Sequence, residues 1–300
     1  MSLSISEGAA ILRAGGLVAF PTETVYGLGA NALDATAVAK IFEIKGRPAT
    51  SPLIVHVASI DMVYEIVADW PPLAAELGAR YWPGPLTIVT RKHANCPDIV
   101  TAGLPTVAVR IPNHPMALAL IAEAGVPVAA PSANRFGELS PTSAEHVRAS
   151  FGDAVPVLDG GPCQVGIEST VVAIDGDKLT LLRPGMISLG EMEQAAPEAG
   201  ASHPSPGMHS RHYSPRTPLL LVKGPAELPG REGAYVWRAA LGPSARSRRM
   251  PLDPAGYASQ LYRVLHELDK EGWPWIAVET PPDAPAWAAI RDRLYRAAGR

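Results

Sequence analysis

Short apolar runs that stop in loops rich in hydroxyls and amides are the strongest constraint on how this chain can fold. The run ending at Phe20 breaks into Pro21-Thr22-Glu23-Thr24-Val25-Tyr26-Gly27, and the run over residues 126–129 breaks into Ala130-Pro131-Ser132-Ala133-Asn134. Small polar residues in these places add nothing to a core. Loops at strand ends, carrying donors and acceptors, are where α/β proteins place ligand chemistry. Between the two lies Lys45-Gly46-Arg47-Pro48, a compact cationic hook. The three segments point to a cleft for an anionic, phosphate-bearing ligand.

Periodicity supplies the frame around them. Ser4 and Glu7 have capping-box spacing and open a helix with Ile5, Ala9 and Leu12 on one face. Residues 36–45, 60–70 and 114–124 suit helices, and Thr142 with Glu145 is a second capping-box spacing, opening a helix through 150. Strand-like runs cover 17–20, 53–57, 86–90, 106–111, 126–130, 155–158, 169–174 and 178–182. Their spacing mixes crossovers with hairpins, which predicts an α/β domain on a partly antiparallel sheet.

Composition shifts near residue 195, where Ala, Pro, Gly and Ser run without period, as in a linker. Beyond it, 219–222, 234–237 and 275–278 read as strands. Asp253 and Pro254 start a long helix with Tyr257, Leu261, Val264 and Leu268 facing inward, and a last helix covers about 286–298. The division expected is a first domain over 1–196, a linker over 197–216 and a small α/β domain over 217–300.

The chain of 300 residues is 47% hydrophobic and 18% charged with a net charge of -3, enough to build a core and no demand for nucleic acid. Cys96 and Cys163 stand alone without metal-ligand spacing, so no metal site or disulfide framework is expected and a reducing, cytoplasmic setting fits. No signal-peptide pattern and no bilayer-length apolar run is present, so no membrane partner is expected. A Walker loop, GxGxxG, GxSxG and HExxH are all missing.

Individual residues leave two readings each. Lys45 and Arg47 suit phosphate, or a cationic helix C-terminus. Thr22, Thr24 and Tyr26 alternate, so extended backbone would turn all three to one side, as ligand groups or as a polar strand edge. Ser132 and Asn134 repeat that spacing, for a base or ribose or for a turn. His56 ends an apolar strand, where a core role competes with a ligand role. Arg110, inside the apolar run 107–111, needs an anion, either a protein carboxylate or a substrate carboxylate.

At this point the motifs resemble a known family. Residues 20–29, Lys45-Gly46-Arg47-Pro48, Pro52-Leu53-Ile54-Val55-His56, Trp82-Pro83-Gly84-Pro85-Leu86-Thr87 and Ala130-Pro131-Ser132-Ala133-Asn134 closely resemble the YrdC-like family. Ser205-Pro206-Gly207-Met208 with Arg211-His212-Tyr213-Ser214-Pro215 looks like the interdomain linker of its two-domain branch, the threonylcarbamoyl-adenylate synthases. Ser210 stands where that linker usually has an aromatic, and residues 217–300 are short for the branch.

The resemblance implies a YrdC-like twisted mixed open sheet with helices, plus a smaller Rossmann-like C-terminal domain. It also implies condensation of L-threonine, bicarbonate and ATP to threonylcarbamoyl-AMP and pyrophosphate, for tRNA threonylcarbamoyladenosine modification. Lys45 and Arg47 would be catalytic, and would bind ATP with Ser51, Thr106, Ser132, Asn134, Ser140, Arg183 and His212. Thr22, Thr24, Tyr26, His56, Arg110 and Ser169 would surround threonine. Mg2+ would be held mainly by the ATP phosphates, and the product would pass to the tRNA threonylcarbamoyl-transferase machinery. The alternatives from the same fold are an RNA-binding module and a carbamoyl-transfer domain.

Overall fold

The apolar runs pair into two sheets. The computed structural model describes residues 3–190, 193–194 and 212–299, so most of the expected linker lies outside the described residues, including Ser205, Ser210 and Arg211. The first sheet contains β1 (Val18–Phe20), β2 (Gly27–Asn31), β3 (Ile54–His56), β4 (Leu86–Arg91), β5 (Thr106–Arg110), β6 (Val128–Ala129), β7 (Thr170–Asp175), β8 (Lys178–Arg183) and β9 (Glu193–Gln194). Their spatial order is β1-β2-β6-β3-β5-β4-β7-β8-β9. It is mixed: β3 runs parallel to β5 and β4 to β7, while β2, β6 and β3 are joined antiparallel. The second sheet, β10 (Leu219–Val222), β11 (Ala234–Trp237), β12 (Arg246–Arg249) and β13 (Ile276–Glu279), is all parallel in the order β10-β13-β11-β12.

Nine α-helices lie among the described residues: α1 (Ile5–Arg13), α2 (Ala35–Lys45), α3 (Ile60–Val63), α4 (Pro72–Tyr81), α5 (Asp98–Thr101), α6 (Pro115–Ala124), α7 (Ala144–Phe151), α8 (Pro254–Glu271) and α9 (Ala288–Ala297). Strand alternation sends Val18 and Phe20 to one face and Ala19 to the other. On the first face Leu12 of α1 and Leu120 of α6 pack against Phe20 and Val128. On the second, Val38 and Ile41 of α2 and Val100 of α5 pack with Leu28, Val55 and Val109. Leu261 and Leu265 of α8 and Ile290 of α9 cover Val236 and Val278 of the second sheet. Val25, Leu139 and Ile167 of the first unit join that last cluster, so the two units share apolar contact. Among the described residues no helix is long and apolar enough to cross a membrane.

The caps read from sequence hold at Ser4, whose hydroxyl and Glu7 form a reciprocal capping box, and at Asp253, which accepts from the Gly256 N–H. Three expectations need correction, and one strand was not expected. The helix expected from Thr142 is capped by Ser143, which accepts from the His146 N–H and so moves the start by one residue. Residues 155–158 make only one bridge, Ala19 to Val157. Pro156 has no N–H to extend a ladder. The helix expected over 60–70 stops at Val63, because the Ala68 N–H and the Ile66 carbonyl bond to the backbone at the end of β4, at Arg91 and His93. Residues 27–31, to which the sequence assigned no strand, form β2. A Cβ on Gly29 would sit 2.8 Å from both Phe20 and Val128, so the strand needs glycine for close packing.

Candidate functional site

The two polar loops are neighbours in space. Leu28 N–H donates to the Pro131 carbonyl at 2.8 Å, Ala133 N–H to the Tyr26 carbonyl at 2.8 Å, and Gly27 bridges Ser132. Around this seam opens a cleft of about 540 Å³ of empty space, its mouth included. Of the residues anticipated from sequence, Thr22, Thr24, Arg47, His56, Arg110, Ser132, Ser169, Arg183 and His212 line it. Val25, Ile54, Pro131, Glu168 and Tyr213 line it too and were not anticipated as site residues. Of these, Glu168 carried a sequence signal, a carboxylate in a strand-end polar insertion before Ser169; the apolar ones look like core.

One end is built on Arg110, the last residue of β5. Its Nε donates to the Gly84 carbonyl at 3.1 Å and its Nη1 to Thr24 Oγ1 at 3.0 Å. Its Nη2 lies 2.7 Å from Glu23 Oε2, an ion pair whose two side chains are 3% and 5% exposed. The contact is close but poorly aligned as a hydrogen bond, since neither Glu23 oxygen completes one. The apolar strand's arginine therefore does have a protein carboxylate beside it. Thr22 Oγ1 donates to the Val25 carbonyl at 2.7 Å, so Thr24 Oγ1, 2.8 Å away, is left to donate to Thr22. The same hydroxyl accepts from the Thr24 and Val25 N–H groups, which coils the segment into a turn. That turn corrects the one-sided pattern expected of Thr22, Thr24 and Tyr26.

Tyr26 turns away from the cleft. Its hydroxyl donates to the Gly161 carbonyl at 2.7 Å and accepts from the Gly160 N–H at 3.1 Å. Tyr26→Phe is therefore expected to cost about 1–3 kcal/mol of stability, by orphaning a part-buried carbonyl and N–H. Catalytic parameters per folded molecule should change less than threefold; a matched pair of denaturation and kinetic measurements checks this.

His56 of β3 is buried, edge-on to Phe20 with centroids 6.1 Å apart, and its Nδ1 has no hydrogen-bond partner. Burial first and the Arg110 charge second push its pKa down to about 3. The imidazole is neutral throughout the working pH range. The unfolded chain, with an ordinary histidine, protonates near pH 6.5 and the folded one does not, so stability is full above that pH and falls as pH drops towards 3. Between pH 6.5 and 5 the loss should be about 2 kcal/mol from this group. His146, pushed to about 3 by burial and His266, adds in the same direction. Urea titrations at pH 7 and 5 should show the loss, and His56→Gln should remove its share.

The other end is built from Arg47, Arg183 and Ser132. α2 ends at Gly46 in the left-handed region (φ 63°), and the Arg47 N–H returns to the Phe42 carbonyl at 3.0 Å. This glycine turn sends both cations inward: Lys45 and Arg47 are 3% and 7% exposed, so the solvated helix terminus is excluded. Arg47 Nε donates to the Ser51 carbonyl at 3.2 Å and its Nη2 to the Pro52 carbonyl at 2.9 Å, with Phe136 facing the guanidinium at 5.8 Å. Burial pushes its pKa down to about 10, so it stays cationic at neutral pH. Arg183 Nε donates to the Ser169 carbonyl at 3.1 Å and its Nη2 to Ser169 Oγ at 3.1 Å, while Thr87 Oγ1 sits 2.8 Å from the same hydroxyl.

Besides Tyr26, five anticipated residues stand behind the cleft or beyond it. Lys45 Nζ donates to the Ser132 carbonyl at 2.6 Å and to the Asn134 carbonyl, so it clamps the second polar loop from beneath. Burial and the nearby Arg47 push its pKa well down. Asn134 Nδ2 donates to the Arg135 and Glu138 carbonyls, a loop-capping role. Ser51 acts through its carbonyl on Arg47, and Ser140 Oγ donates to Glu168 Oε1 at 2.5 Å. Thr106 opens β5 on the same face as Arg110, about 13 Å along the strand from it. His212, where the described chain resumes, closes one side of the cleft against Phe136 (5.4 Å, edge-on).

The chemistry available is therefore cationic and hydrogen-bonding, with no thiolate at hand. Cys163 is buried and its thiol is pushed up to about 12. A family model described as "Telomere recombination", for Sua5, YciO and YrdC proteins, matches residues 10–185. The chain belongs to the Sua5/YciO/YrdC family. A second model, described as "Threonylcarbamoyl-AMP synthase, C-terminal domain", matches residues 178–299. Within the Sua5/YciO/YrdC family, a threonylcarbamoyl-AMP synthase of Bacillus subtilis (strain 168) is 42% identical, covering 98% of this chain and 93% of its own. One of Pyrococcus abyssi (strain GE5 / Orsay) is 40% identical, covering 98% and 94%. The crystal structure of P. abyssi Sua5 complexed with L-threonine superposes with a TM-score of 0.91 at 37% identity, over 98% of this chain and 94% of that one.

Proposed function

We propose that this chain condenses L-threonine, bicarbonate and ATP to threonylcarbamoyl-AMP and pyrophosphate, an adenylyl transfer. The observation that carries the reading is the single cleft with two chemically distinct ends, Arg110 with Thr24 and His56 on one side, Arg47 with Arg183 and Ser132 on the other. The first end suits an amino acid. Arg110, whose Nη2 completes no hydrogen bond within the protein, offers donors to a carboxylate, and the neutral His56 Nδ1 offers an acceptor to the substrate's amine or hydroxyl. The second end suits a nucleotide, with guanidinium groups for the phosphates and the Ser132 hydroxyl for the nucleoside.

Bicarbonate and the threonine amine give a carbamate with loss of water, and a carbamate oxygen then attacks the α-phosphate as pyrophosphate leaves. Such a step needs alignment and neutralisation of phosphate charge more than a nucleophilic side chain. Arg47 and Arg183 are the groups in reach, and Lys45 serves by fixing the Ser132 loop. Magnesium, which would further neutralise the phosphates, would come bound to them. The one carboxylate among the described residues that line the cleft, Glu168, already accepts from Ser140, Tyr262 and Arg293. In this reading the adenylate passes to a tRNA-modifying transferase and the protein works in the cytoplasm.

Purified protein should release pyrophosphate from ATP only when threonine and bicarbonate are both present. Release independent of threonine, or salt-dependent RNA binding without any ATP binding, would reject the reading.

A further inference from the structure

The second domain backs the wall of the cleft through one buried arginine that the sequence did not single out. Arg293, on the inner face of α9 with Ile290 and Leu294, is 0% exposed. Its Nε donates to Glu168 Oε2 at 2.7 Å, its Nη1 to the Pro184 carbonyl at 2.9 Å and to Asp292, and its Nη2 to the Glu168 carbonyl at 3.4 Å. The guanidinium lies 5.3 Å from the centre of the Tyr213 ring. Apart from Asp292, its neighbour on α9, each residue so held adjoins a cleft residue: Glu168 precedes Ser169, Pro184 follows Arg183, and Tyr213 follows His212. Tyr213 has φ 60°, a backbone conformation that a bulky residue adopts only when its surroundings impose it.

A second contact presses the same loop onto the second domain. Gly166 has φ 78°, and a Cβ there would meet the Ala258 carbonyl of α8 at 2.5 Å, so backbone lies against backbone. Tyr262 of α8 also donates to the Glu168 carboxylate at 3.1 Å. Replacing a buried ion pair with apolar groups of like volume is often neutral for stability. Geometry rather than stability is then what a fork bridging three segments provides.

We propose that Arg293 is a positioning residue of the reaction, holding Ser169, Arg183 and His212 in mutual register, so that the cleft is incomplete without the second domain. This rests on the reading of the cleft given above. The test compares full-length wild type with R293M and R293K, with V278A as a control that weakens the second domain's core away from the cleft. Thermal midpoint, direct ATP and threonine binding, and pyrophosphate release are measured on each.

R293M should raise the Kd for ATP at least tenfold and lower kcat/KM by a hundredfold or more. R293K, cationic but without the fork, should recover less than a tenth of that loss. V278A should bind and turn over as wild type per folded molecule at a similar loss of thermal midpoint. If R293M does not fold, E168Q, which keeps the shape and removes the charge Arg293 holds, should show the same weakening of ATP binding. Wild-type binding in R293M or, failing that, in E168Q would overturn the inference, as would the same defect in V278A. A wild type that binds neither ATP nor threonine would instead overturn the reading of the cleft.

Discussion

Arg110→Ala is expected to abolish useful threonine binding while leaving ATP binding within tenfold of wild type. The guanidinium donates to Gly84 and Thr24 and neutralises Glu23 in a setting where both charged groups are buried. Truncating it leaves the Glu23 carboxylate without its partner, which typically costs about 3–5 kcal/mol. The protein should therefore lose stability, and the loss should shrink in Arg110→Ala with Glu23→Gln, where no unpaired charge remains. Threonine affinity should stay more than about a hundredfold weaker in both, on the scale of a lost buried charge pair. Calorimetric titration with threonine, beside urea denaturation, separates the two effects. Threonine affinity restored in the double variant would mean that Arg110 serves the fold alone.

Arg47→Ala should produce the converse pattern. Two strand-entry carbonyls, of Ser51 and Pro52, lose their donor, and the phosphate end loses its charge. Removing one preorganised donor to a developing charge typically costs about 10²–10³ in rate. Pyrophosphate release should fall by about that factor with ATP affinity weakened, and threonine affinity should stay within tenfold of wild type. Arg47→Lys should restore only part, because one ammonium on a flexible stem cannot hold both carbonyls and keep a planar face to Phe136. Equal loss of ATP and threonine binding in both the Arg47 and Arg110 variants would contradict a cleft with separate ends.

What was legible in the sequence was the chemistry at strand ends. Arg110 in an apolar strand announced buried charge, and Lys45 with Arg47 offered a cationic hook or a solvated helix end; the structure buries all three. Less legible was which polar groups face the ligand and which hold the residues that do. Lys45, Asn134, Ser51 and Ser140 carry the same donors in either role. Only the third dimension shows the Lys45 ammonium turned onto loop carbonyls.

Elements were missed for similar reasons. β2 carries two glycines, which depress strand propensity but permit the close approach of Phe20 and Val128. β12 is Arg246-Ser247-Arg248-Arg249, an edge strand with no apolar alternation to read. Arg293 was hidden in plain view, at an inward helical position where an isolated arginine would need a distant carboxylate, and Glu168 lies 125 residues away in sequence.

Mass spectrometry of the reaction mixture tests the central claim most directly. Wild-type protein incubated with ATP, L-threonine and bicarbonate should yield threonylcarbamoyl-AMP, with isotope from labelled bicarbonate in the carbamoyl carbon. Arg110→Ala and Arg47→Ala should each yield less than a hundredth as much. A mixture that forms pyrophosphate but no threonylcarbamoyl-AMP, or forms it without label from bicarbonate, would contradict the proposed reaction.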